Sequence, residues 1–327
     1  MFRTIAACSL AFTLSLTAAA AELTQLDFGI IATESQAGLK KDFAPLAEDL
    51  GKAVGMPVNL FVASDYSGVI EAMRFNKVQI GWFGNKSAID AVDRAGGEVF
   101  GQVIDKDGNP GYWSLIIVNK DSPLQTLEQL IAAAKDTTFS MGDPQSTSGT
   151  LIPGYFAFAR NGVDPQKAFK AVRNGNHESN ALAVASKQVD AATFNTEAMF
   201  RLQASNPEKA ALIRPIWKSG LIASDPLVWK ADLAPEVKTK IRDFFVGYGK
   251  TEEQKARIAA LKWSGFKASS NDQLVPYRHL SLLKDQAKLE ADDKIPASDK
   301  QAKLDVLQIR IKEIEAQLAA LDAKQVK

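Results

Sequence analysis

Three consecutive hydroxyl residues, Ser146, Thr147 and Ser148, stand directly before Gly149 in the stretch GDPQSTSGTLIPGYF. Ser and Thr are favoured at helix N-caps, where the side-chain oxygen accepts a backbone N–H that otherwise has no partner. The same end of a helix offers free N–H groups and a partial positive charge, which together suit an anion. Two interpretations therefore stand side by side: a well-capped helix, or a site for a tetrahedral oxyanion.

Histidine is the residue type that would add acid–base chemistry to these hydroxyls, and the chain has two. His177 lies in the polar segment RNGNHESN, whereas His279 lies in the apolar segment LVPYRHLSLL and is predicted to be structural. His177 with Ser146 or Ser148 would supply parts of a hydrolase triad, but the strained G-x-S-x-G turn is absent. Two distant histidines are a poor metal-ligand set. We predict no metal and no cofactor, with an exported hydrolase as a disfavoured alternative.

Two acidic residues follow short apolar runs, Glu197 in FNTEAM and Asp225 in ASDPLVW. Each is compatible with a cap or a solvated loop acid; facing one cleft with the hydroxyl run, they would form an anionic pole opposite it. Turn-forming neighbours favour exposure of Tyr66 and Tyr112 in such a cleft, whereas Trp82 is predicted to pack in the core. This polarity suits a zwitterion with an oxyanion at one end and an ammonium at the other.

The elements that would position these residues alternate between strands and helices. From LDFGII to the glycine pair at 96–97 the order is βαβαβα, which predicts an α/β domain with a largely parallel sheet. A second α/β unit follows, in which the run from Thr150 to Arg160 is predicted to be one helix containing Pro153. The segment DPLVWK is predicted to return to the first lobe. Two crossings would create a ligand cleft and a hinge; two domains joined once are the alternative.

The first residues predict a secretory signal peptide over residues 1–21. Arg3 supplies the positive n-region, residues 5–16 the apolar h-region and the alanines at 18–20 the cleavage site. Cleavage removes Cys8, the only cysteine, and so excludes disulfides in the mature protein. It also lowers the formal net charge from +1 to zero, because the signal carries one base and no acid. The balanced charge argues against nucleic acid as a partner, and we predict a soluble periplasmic protein.

The C-terminal segment, residues 297–327, carries apolar residues at alternating steps of three and four. They are Leu304, Leu307, Ile311, Ile314, Leu318 and Leu321. This a/d pattern predicts an amphipathic helix with charged residues between the apolar positions. Two roles are open for it: self-association into a homodimer, or packing on its own domain.

Six segments, distributed in order from about residue 26 to about residue 280, resemble the periplasmic phosphonate-binding proteins of ABC importers. They are IIATESQ, DYSGVIEAMRFNKVQIGWFGN, GYWSLIIVNKDSP, GDPQSTSGTLIPGY, NGNHESNALAVASKQVDAAT and DPLVW. The resemblance implies a two-lobed, type II-like periplasmic-binding-protein fold. Lobe 1 would comprise residues 22–117 and 227–296, lobe 2 residues 118–226, and residues 297–327 would be the helical extension. One departure is Phe83, where the family pattern leads us to expect Tyr.

The resemblance also implies a role for each candidate residue. Ser146, Thr147, Ser148 and His177 would bind phosphonate oxygens, and Tyr66 and Tyr112 would line the pocket. Glu197 and Asp225 would receive the amino group of a ligand such as 2-aminoethylphosphonate. Because no Lys or Arg stands out beside the hydroxyl run, the anion would depend on hydroxyls, backbone N–H groups and the helix end.

The function these features predict is non-enzymatic. The protein would capture an alkylphosphonate by closure of its lobes and present it to the membrane subunits of an ABC permease. The alternative within this class is a receptor for another small oxyanion, such as phosphite or phosphate.

Overall fold

The computed structural model describes residues 23–325, so the predicted signal peptide at residues 1–21 lies outside the described residues. Its strands are β1 (Leu26–Ile30), β2 (Val58–Val62), β3 (Ile80–Trp82), β4 (Gly97–Asp105), β5 (Gly111–Tyr112), β6 (Ser114–Asn119), β7 (Thr138–Met141), β8 (Ala171–Asn174), β9 (Ala191–Asn195), β10 (Ile213–Lys218), β11 (Ile222–Ala223), β12 (Pro226–Lys230) and β13 (Trp263–Ala268). Its α-helices are α1 (Gln36–Val54), α2 (Tyr66–Arg74), α3 (Asn85–Ala95), α4 (Leu127–Ala132), α5 (Pro165–Ala168), α6 (His177–Ala185), α7 (Thr196–Ser205), α8 (Pro207–Ala210), α9 (Pro235–Gly247), α10 (Glu252–Ala259), α11 (Val275–Glu290) and α12 (Ala297–Gln325). Within residues 23–325, no helix is both long and apolar enough to cross a bilayer.

The first lobe is built on a six-stranded sheet in the order β13-β4-β12-β3-β1-β2. The helices α1 and α2 connect β1, β2 and β3, and both pairs that β1 makes are parallel, because each crossover helix returns the chain to the end of the sheet at which the previous strand began. β12 lies antiparallel between β3 and β4, so the segment DPLVWK does return to the first lobe. An apolar core of strand and helix side chains, including Phe28 and Phe43, fills the space on the sheet.

The second lobe is built on a five-stranded sheet in the order β10-β6-β9-β7-β8. Its strands all fall between β5 and β11 along the chain, and separate apolar cores cover its two faces. Together the two sheets give the predicted two-lobed α/β fold.

The chain passes between the lobes twice, and the two crossing segments lie side by side. β5 and β11 form a two-stranded antiparallel ribbon in which Tyr112 is opposite Ile222. A Cβ atom on Gly111 would lie only 1.9 Å from the carbonyl oxygen of Ile222, so this close approach requires glycine. A boundary at 117/118 would divide β6, which is a single strand of the second sheet. We therefore propose that the lobes meet at residues 106–113 and 219–225.

The helix predicted from Thr150 to Arg160 differs in the structure. Two π-helical segments, Thr147–Leu151 and Gly154–Phe158, are followed by a 3-10 turn, so the helical stretch starts three residues earlier. Pro153 lies between the π-helical segments and has no N–H to donate, which disfavours a regular α-helix through this position. The wider turn alters which backbone N–H groups the beginning of the stretch leaves unpaired.

The C-terminal helix α12 packs against α11. Ile311, on its apolar edge, is buried, whereas Val306 and Ile309 on other faces are exposed. The other apolar residues of this edge are half-buried, so the edge is partly covered within the chain, as in the second of the two predicted roles. The structure gives no support to self-association through it.

Candidate functional site

A small cavity lies between the lobes. Its lining residues are Ile31, Thr33, Tyr66, Trp82, Gly84, Tyr112, Ser146, Thr147, Ser148, His177, Asn195, Glu197, Arg201 and Asp225. All eight residues predicted from the sequence are among them, and they come from both lobes and from the crossing segments. The topology thus brings residues separated by up to about 160 positions to one small space.

The hydroxyl run forms the start of the π-helical stretch that follows β7. Ser146 is the N-cap, and its Oγ accepts the N–H of Gly149 at 2.9 Å. The N–H of Leu151 donates to the carbonyl oxygen of Ser146 at 3.1 Å. The N–H groups of Thr147 and Ser148 have no acceptor in the described part of the chain. The first turn therefore combines free backbone donors with buried hydroxyls, as an oxyanion requires.

His177 is the first residue of α6 and forms a buried polar cluster with Asn195 and Ser148. The Oδ1 atom of Asn195 accepts the N–H of Ala198 at 2.7 Å, which fixes the orientation of the amide. Its Nδ2 atom therefore donates to Ser148 Oγ at 3.0 Å and to His177 Nε2 at 3.1 Å. Because Nε2 accepts, a neutral ring carries its proton on Nδ1. Within residues 23–325, Nδ1 is buried without a hydrogen-bond partner.

The ring of His177 is held neutral by its surroundings. Burial, and secondarily the positive charge of Arg201, lower the pKa of His177 from 6.5 to about 3. At neutral pH it is therefore a donor through one nitrogen and an acceptor through the other.

The two predicted tyrosines line different walls of the cavity, but the expected exposure is wrong, because the meeting of the lobes leaves Tyr66 and Tyr112 only 2% and 3% exposed. Tyr66 is the first residue of α2, whose N-cap Asp65 accepts the N–H of Gly68 at 2.8 Å. Tyr112, on β5, donates its hydroxyl to Asp225 Oδ1 at 3.0 Å. Burial raises the pKa of each phenol well above its usual value. Both hydroxyls therefore remain protonated hydrogen-bond donors.

The two predicted acids are almost fully buried. Glu197 lies in the first turn of α7, and Asp225 directly precedes β12; each is 5% exposed. Burial raises the pKa of both carboxyls, and the negative charge of Glu197 raises that of Asp225 further. The Oε1 atom of Glu197 has no hydrogen-bond partner among the described residues. A buried carboxylate in this state gains most from a cationic partner.

Sequence reasoning missed one charged residue of the cavity, Arg201. It lies four positions after Glu197 on α7, the i,i+4 spacing that brings two side chains to one helix face. Its Nε donates to Glu34 Oε1, and the two side chains are 10% and 16% exposed. Arg201 is thus a cation of the cavity that the sequence analysis did not name, and its i,i+4 spacing from Glu197 is the signal that could have found it.

Other lining residues shape the cavity. Trp82 packs in the core as predicted, 5.4 Å from the ring of Phe43, and also lines the cavity. A Cβ atom on Gly84 would lie 3.0 Å from Thr147 Oγ1 and 3.9 Å from Asp225 Oδ1. The missing side chain at this position keeps space open between the hydroxyl run and an acid.

The sequence matches a family model described as ABC transporter, phosphonate, periplasmic substrate-binding protein, over residues 28–274. The chain belongs to this family. It is 50% identical to the phosphonates-binding periplasmic protein of Escherichia coli K12, over 91% of this chain and 88% of that one. It is 31% identical to a phosphate-import protein, PhnD, of Mycolicibacterium smegmatis, over 72% of this chain and 73% of that one.

Solved structures lead to the same family. A crystal structure of a binding-protein component of an ABC phosphonate transporter from Pseudomonas aeruginosa is 51% identical to this chain. It matches with a TM-score of 0.89 over 91% of this chain and 99% of that one. The match confirms the two-lobed periplasmic-binding-protein fold.

Family membership settles the general role. This is the periplasmic phosphonate-binding component of an ABC transporter and not an enzyme. The hydrolase alternative is therefore dropped. The signal peptide stays a prediction, since residues 1–21 lie outside the described residues.

Proposed function

We propose that this protein captures alkylphosphonates, with 2-aminoethylphosphonate as the preferred ligand, and delivers them to an ABC permease. The observation that carries the proposal is the pair of buried acids, Glu197 and Asp225, in the same small cavity as the hydroxyl run. A ligand with an anion alone gives these acids no partner. A zwitterion pairs its anionic group with the hydroxyl run and its cationic group with the two acids.

The phosphonate group is assigned to the hydroxyl run. Ser146, Thr147 and Ser148 offer hydroxyls, the last two also offer backbone N–H groups, and His177 offers the proton on Nδ1. Hydrogen bonds to a charged group contribute about 1.5–3 kcal/mol each. Four or five of them therefore suffice for tight binding after the entropy of ordering is subtracted. None of these donors carries a full charge, so the anion is recognised by the arrangement of the hydrogen bonds around it.

The ammonium group is assigned to Glu197 and Asp225. Their raised pKa values reflect a site that disfavours two bare carboxylates. A cation between them would lower both pKa values and recover much of the cost of burial. The hydroxyl of Tyr112 already donates to Asp225 and would hold that carboxyl in place for the ligand.

Lobe closure is supported by the direct contacts between the lobes around the cavity. Thr147 Oγ1 in the second lobe accepts the backbone N–H of Lys86 in the first at 2.9 Å. Gln145 Nε2 donates to Asp90 Oδ2 at 2.6 Å across the same gap. A hinge at β5 and β11 would make and break such contacts as ligand enters and leaves.

The second candidate ligand class is a small oxyanion without an amine, phosphate or phosphite. The relative from Mycolicibacterium smegmatis that is named a phosphate-import protein favours it. The buried acids disfavour it, because phosphate would leave Glu197 without a partner.

Isothermal titration calorimetry with four ligands tests the proposal. We expect the tightest binding for 2-aminoethylphosphonate, weaker binding for ethylphosphonate, and the weakest for phosphate and phosphite. Ethylphosphonate matches the first ligand except for the amine, so it is the decisive control. Equal affinity for these two ligands would contradict the proposal, and preference for phosphate would favour the second candidate.

A further inference from the structure

An ion pair joins the two lobes at the acidic end of the cavity. Glu34 follows β1 in the first lobe, and Arg201 lies in α7 of the second. The Nε atom of Arg201 donates to Glu34 Oε1, and both side chains are largely buried. The carbonyl oxygen of Glu34 also accepts from Asn176 Nδ2 at 3.3 Å, so the loop that carries it is held against the second lobe.

Arg201 is close enough to affect the two acids assigned to the ammonium. Its charge lowers the pKa of Glu197 and of Asp225, although burial keeps both raised. Conversely, burial disfavours the charge on Arg201, but Glu34 first and Glu197 second outweigh it and raise its pKa. One guanidinium thus interacts with three carboxyls at one wall of the cavity.

The pairing of Arg201 decides what the ligand encounters. With Arg201 paired to Glu197 or Asp225, an arriving ammonium would meet a neutralised acid and a like charge, which is repulsive at short range. With Arg201 paired to Glu34, two acids remain for one ammonium. The structure has the second arrangement, with Oε1 of Glu197 unpartnered among the described residues.

We propose that Glu34 is a specificity-determining residue: on lobe closure it takes up Arg201 and so leaves Glu197 and Asp225 to the ammonium of the ligand. Glu34 and Arg201 come from opposite lobes, so opening the hinge separates them. The guanidinium is then free to pair with Glu197 or Asp225. Closure and amine recognition are thereby coupled. This inference rests on the proposed preference for an aminophosphonate.

A simpler role for Glu34 is that of a latch that stabilises the closed form whatever the ligand. The chain offers a matched control for that role in Glu178. Its Oε2 atom accepts the N–H of Ser35 from the opposite lobe at 2.8 Å. Glu178 thus makes a carboxylate contact across the cleft next to Glu34. Neither carboxylate lines the cavity, but among the described residues only Glu34 pairs with Arg201.

The test compares Glu34→Gln with Glu178→Gln by calorimetry, using 2-aminoethylphosphonate and ethylphosphonate. Thermal melting first establishes that each variant is folded. We expect Glu34→Gln to reduce the affinity ratio of the two ligands by about tenfold or more, because the freed guanidinium opposes the ammonium. Glu178→Gln should weaken both ligands by the same factor and leave the ratio unchanged.

The double variant Glu34→Gln/Arg201→Gln sharpens the test, since it removes both charges of the pair. We expect it to restore the ratio to within about threefold of the wild-type value, as for coupled residues in a mutant cycle. Equal weakening of both ligands by Glu34→Gln, or a double variant no more selective than that single one, would overturn the inference. A wild-type protein without amine preference would instead overturn the proposed function, and the inference with it.

Discussion

The two ends of the cavity recognise charge in opposite ways. The hydroxyl end consists of neutral groups: Ser146, Thr147, Ser148 and a His177 ring that burial keeps uncharged. The acidic end consists of ionisable groups, Glu197, Asp225 and Arg201, whose charges depend on one another. At the hydroxyl end, secondary structure fixes the donors before the ligand arrives. At the acidic end, ionisation and pairing respond to the ligand and to closure.

This difference separates affinity from selectivity. A fixed set of neutral donors suits any phosphonate group, because all phosphonates present the same three oxygens. The acids increase the affinity only for ligands that carry a cationic group. The hydroxyl end therefore accounts for binding of the class, and the acidic end for the choice within it.

Asp225→Asn should have the largest effect and should act on one ligand class only. Asn still accepts the Tyr112 hydroxyl, so the change removes charge with little change in shape. Loss of a buried charge partner costs about 2–5 kcal/mol, so we expect the Kd of 2-aminoethylphosphonate to rise on the order of several hundredfold. The Kd of ethylphosphonate should stay within about threefold. Calorimetry measures both, and equal losses would remove the distinction between the two ends.

Ser148→Ala should have a smaller effect that is the same for both ligands. It removes one hydrogen bond to the anion, about 1.5–3 kcal/mol, so both Kd values should rise about tenfold to one hundredfold. The exposed Ser186 provides the control, because Ser186→Ala removes a hydroxyl remote from the cavity. A loss of affinity confined to 2-aminoethylphosphonate would contradict the assignment of Ser148 to the phosphonate group.

The neutrality of the hydroxyl end can be tested through the pH dependence of stability. Burial lowers the pKa of His177 in the folded protein to about 3, from the ordinary histidine value of 6.5. As pH falls below 6.5, the unfolded chain takes up this proton and the folded protein does not, so stability decreases towards pH 3. Relative to His177→Gln, the ligand-free wild type should lose about 2 kcal/mol between pH 7 and pH 5. Urea unfolding at the two pH values measures the free energy of unfolding of both proteins. A difference between wild type and variant that is the same at pH 7 and pH 5 would contradict the lowered pKa.

Asp225 should give the opposite sign in the same experiment. Its pKa in the fold is raised above 3.8 by burial, so the folded state holds a proton that the unfolded state releases as pH rises. Relative to Asp225→Asn, the wild type should therefore lose stability as pH rises above about 4. A gain of stability with rising pH would show that Asp225 is ionised in the free protein.

Phe83→Tyr should have the smallest effect on binding. Phe83 is fully buried and, unlike its neighbours Trp82 and Gly84, does not line the cavity. The family's expected hydroxyl should therefore change the Kd of either ligand by less than about twofold, because residues outside the contact carry little binding energy. A change above tenfold would mean that this hydroxyl reaches the ligand.

The hydroxyl end was easier to predict from sequence than the acidic end, for a physical reason. Capping by Ser146 is a local property of consecutive residues, so the amino-acid sequence alone indicates it. The pairing of Arg201 with Glu34 joins residues 167 positions apart, and only the meeting of two lobes creates it. The i,i+4 spacing from Glu197 to Arg201 is visible in the sequence, but the pairing of Arg201 with Glu34 is not.

The π-helical geometry was also out of reach of local rules. A Cβ atom on Gly149 would lie 2.8 Å from the Cα of Gly142, so the turn is shaped by a close contact with the end of β7. The parallel direction of β1, β2 and β3 was predictable because the βαβ rhythm imposes it, while the insertion of β12 depended on reading DPLVWK as a return to the first lobe.

The most direct test of the central claim is a crystal structure of the protein with 2-aminoethylphosphonate. The account predicts the phosphonate oxygens within hydrogen-bond distance of Ser146, Thr147 and Ser148, and the ammonium nitrogen between Glu197 and Asp225. The Nδ1 atom of His177 should donate to one phosphonate oxygen. A reversed ligand, or an amine directed away from both acids, would contradict the division of the cavity into two ends.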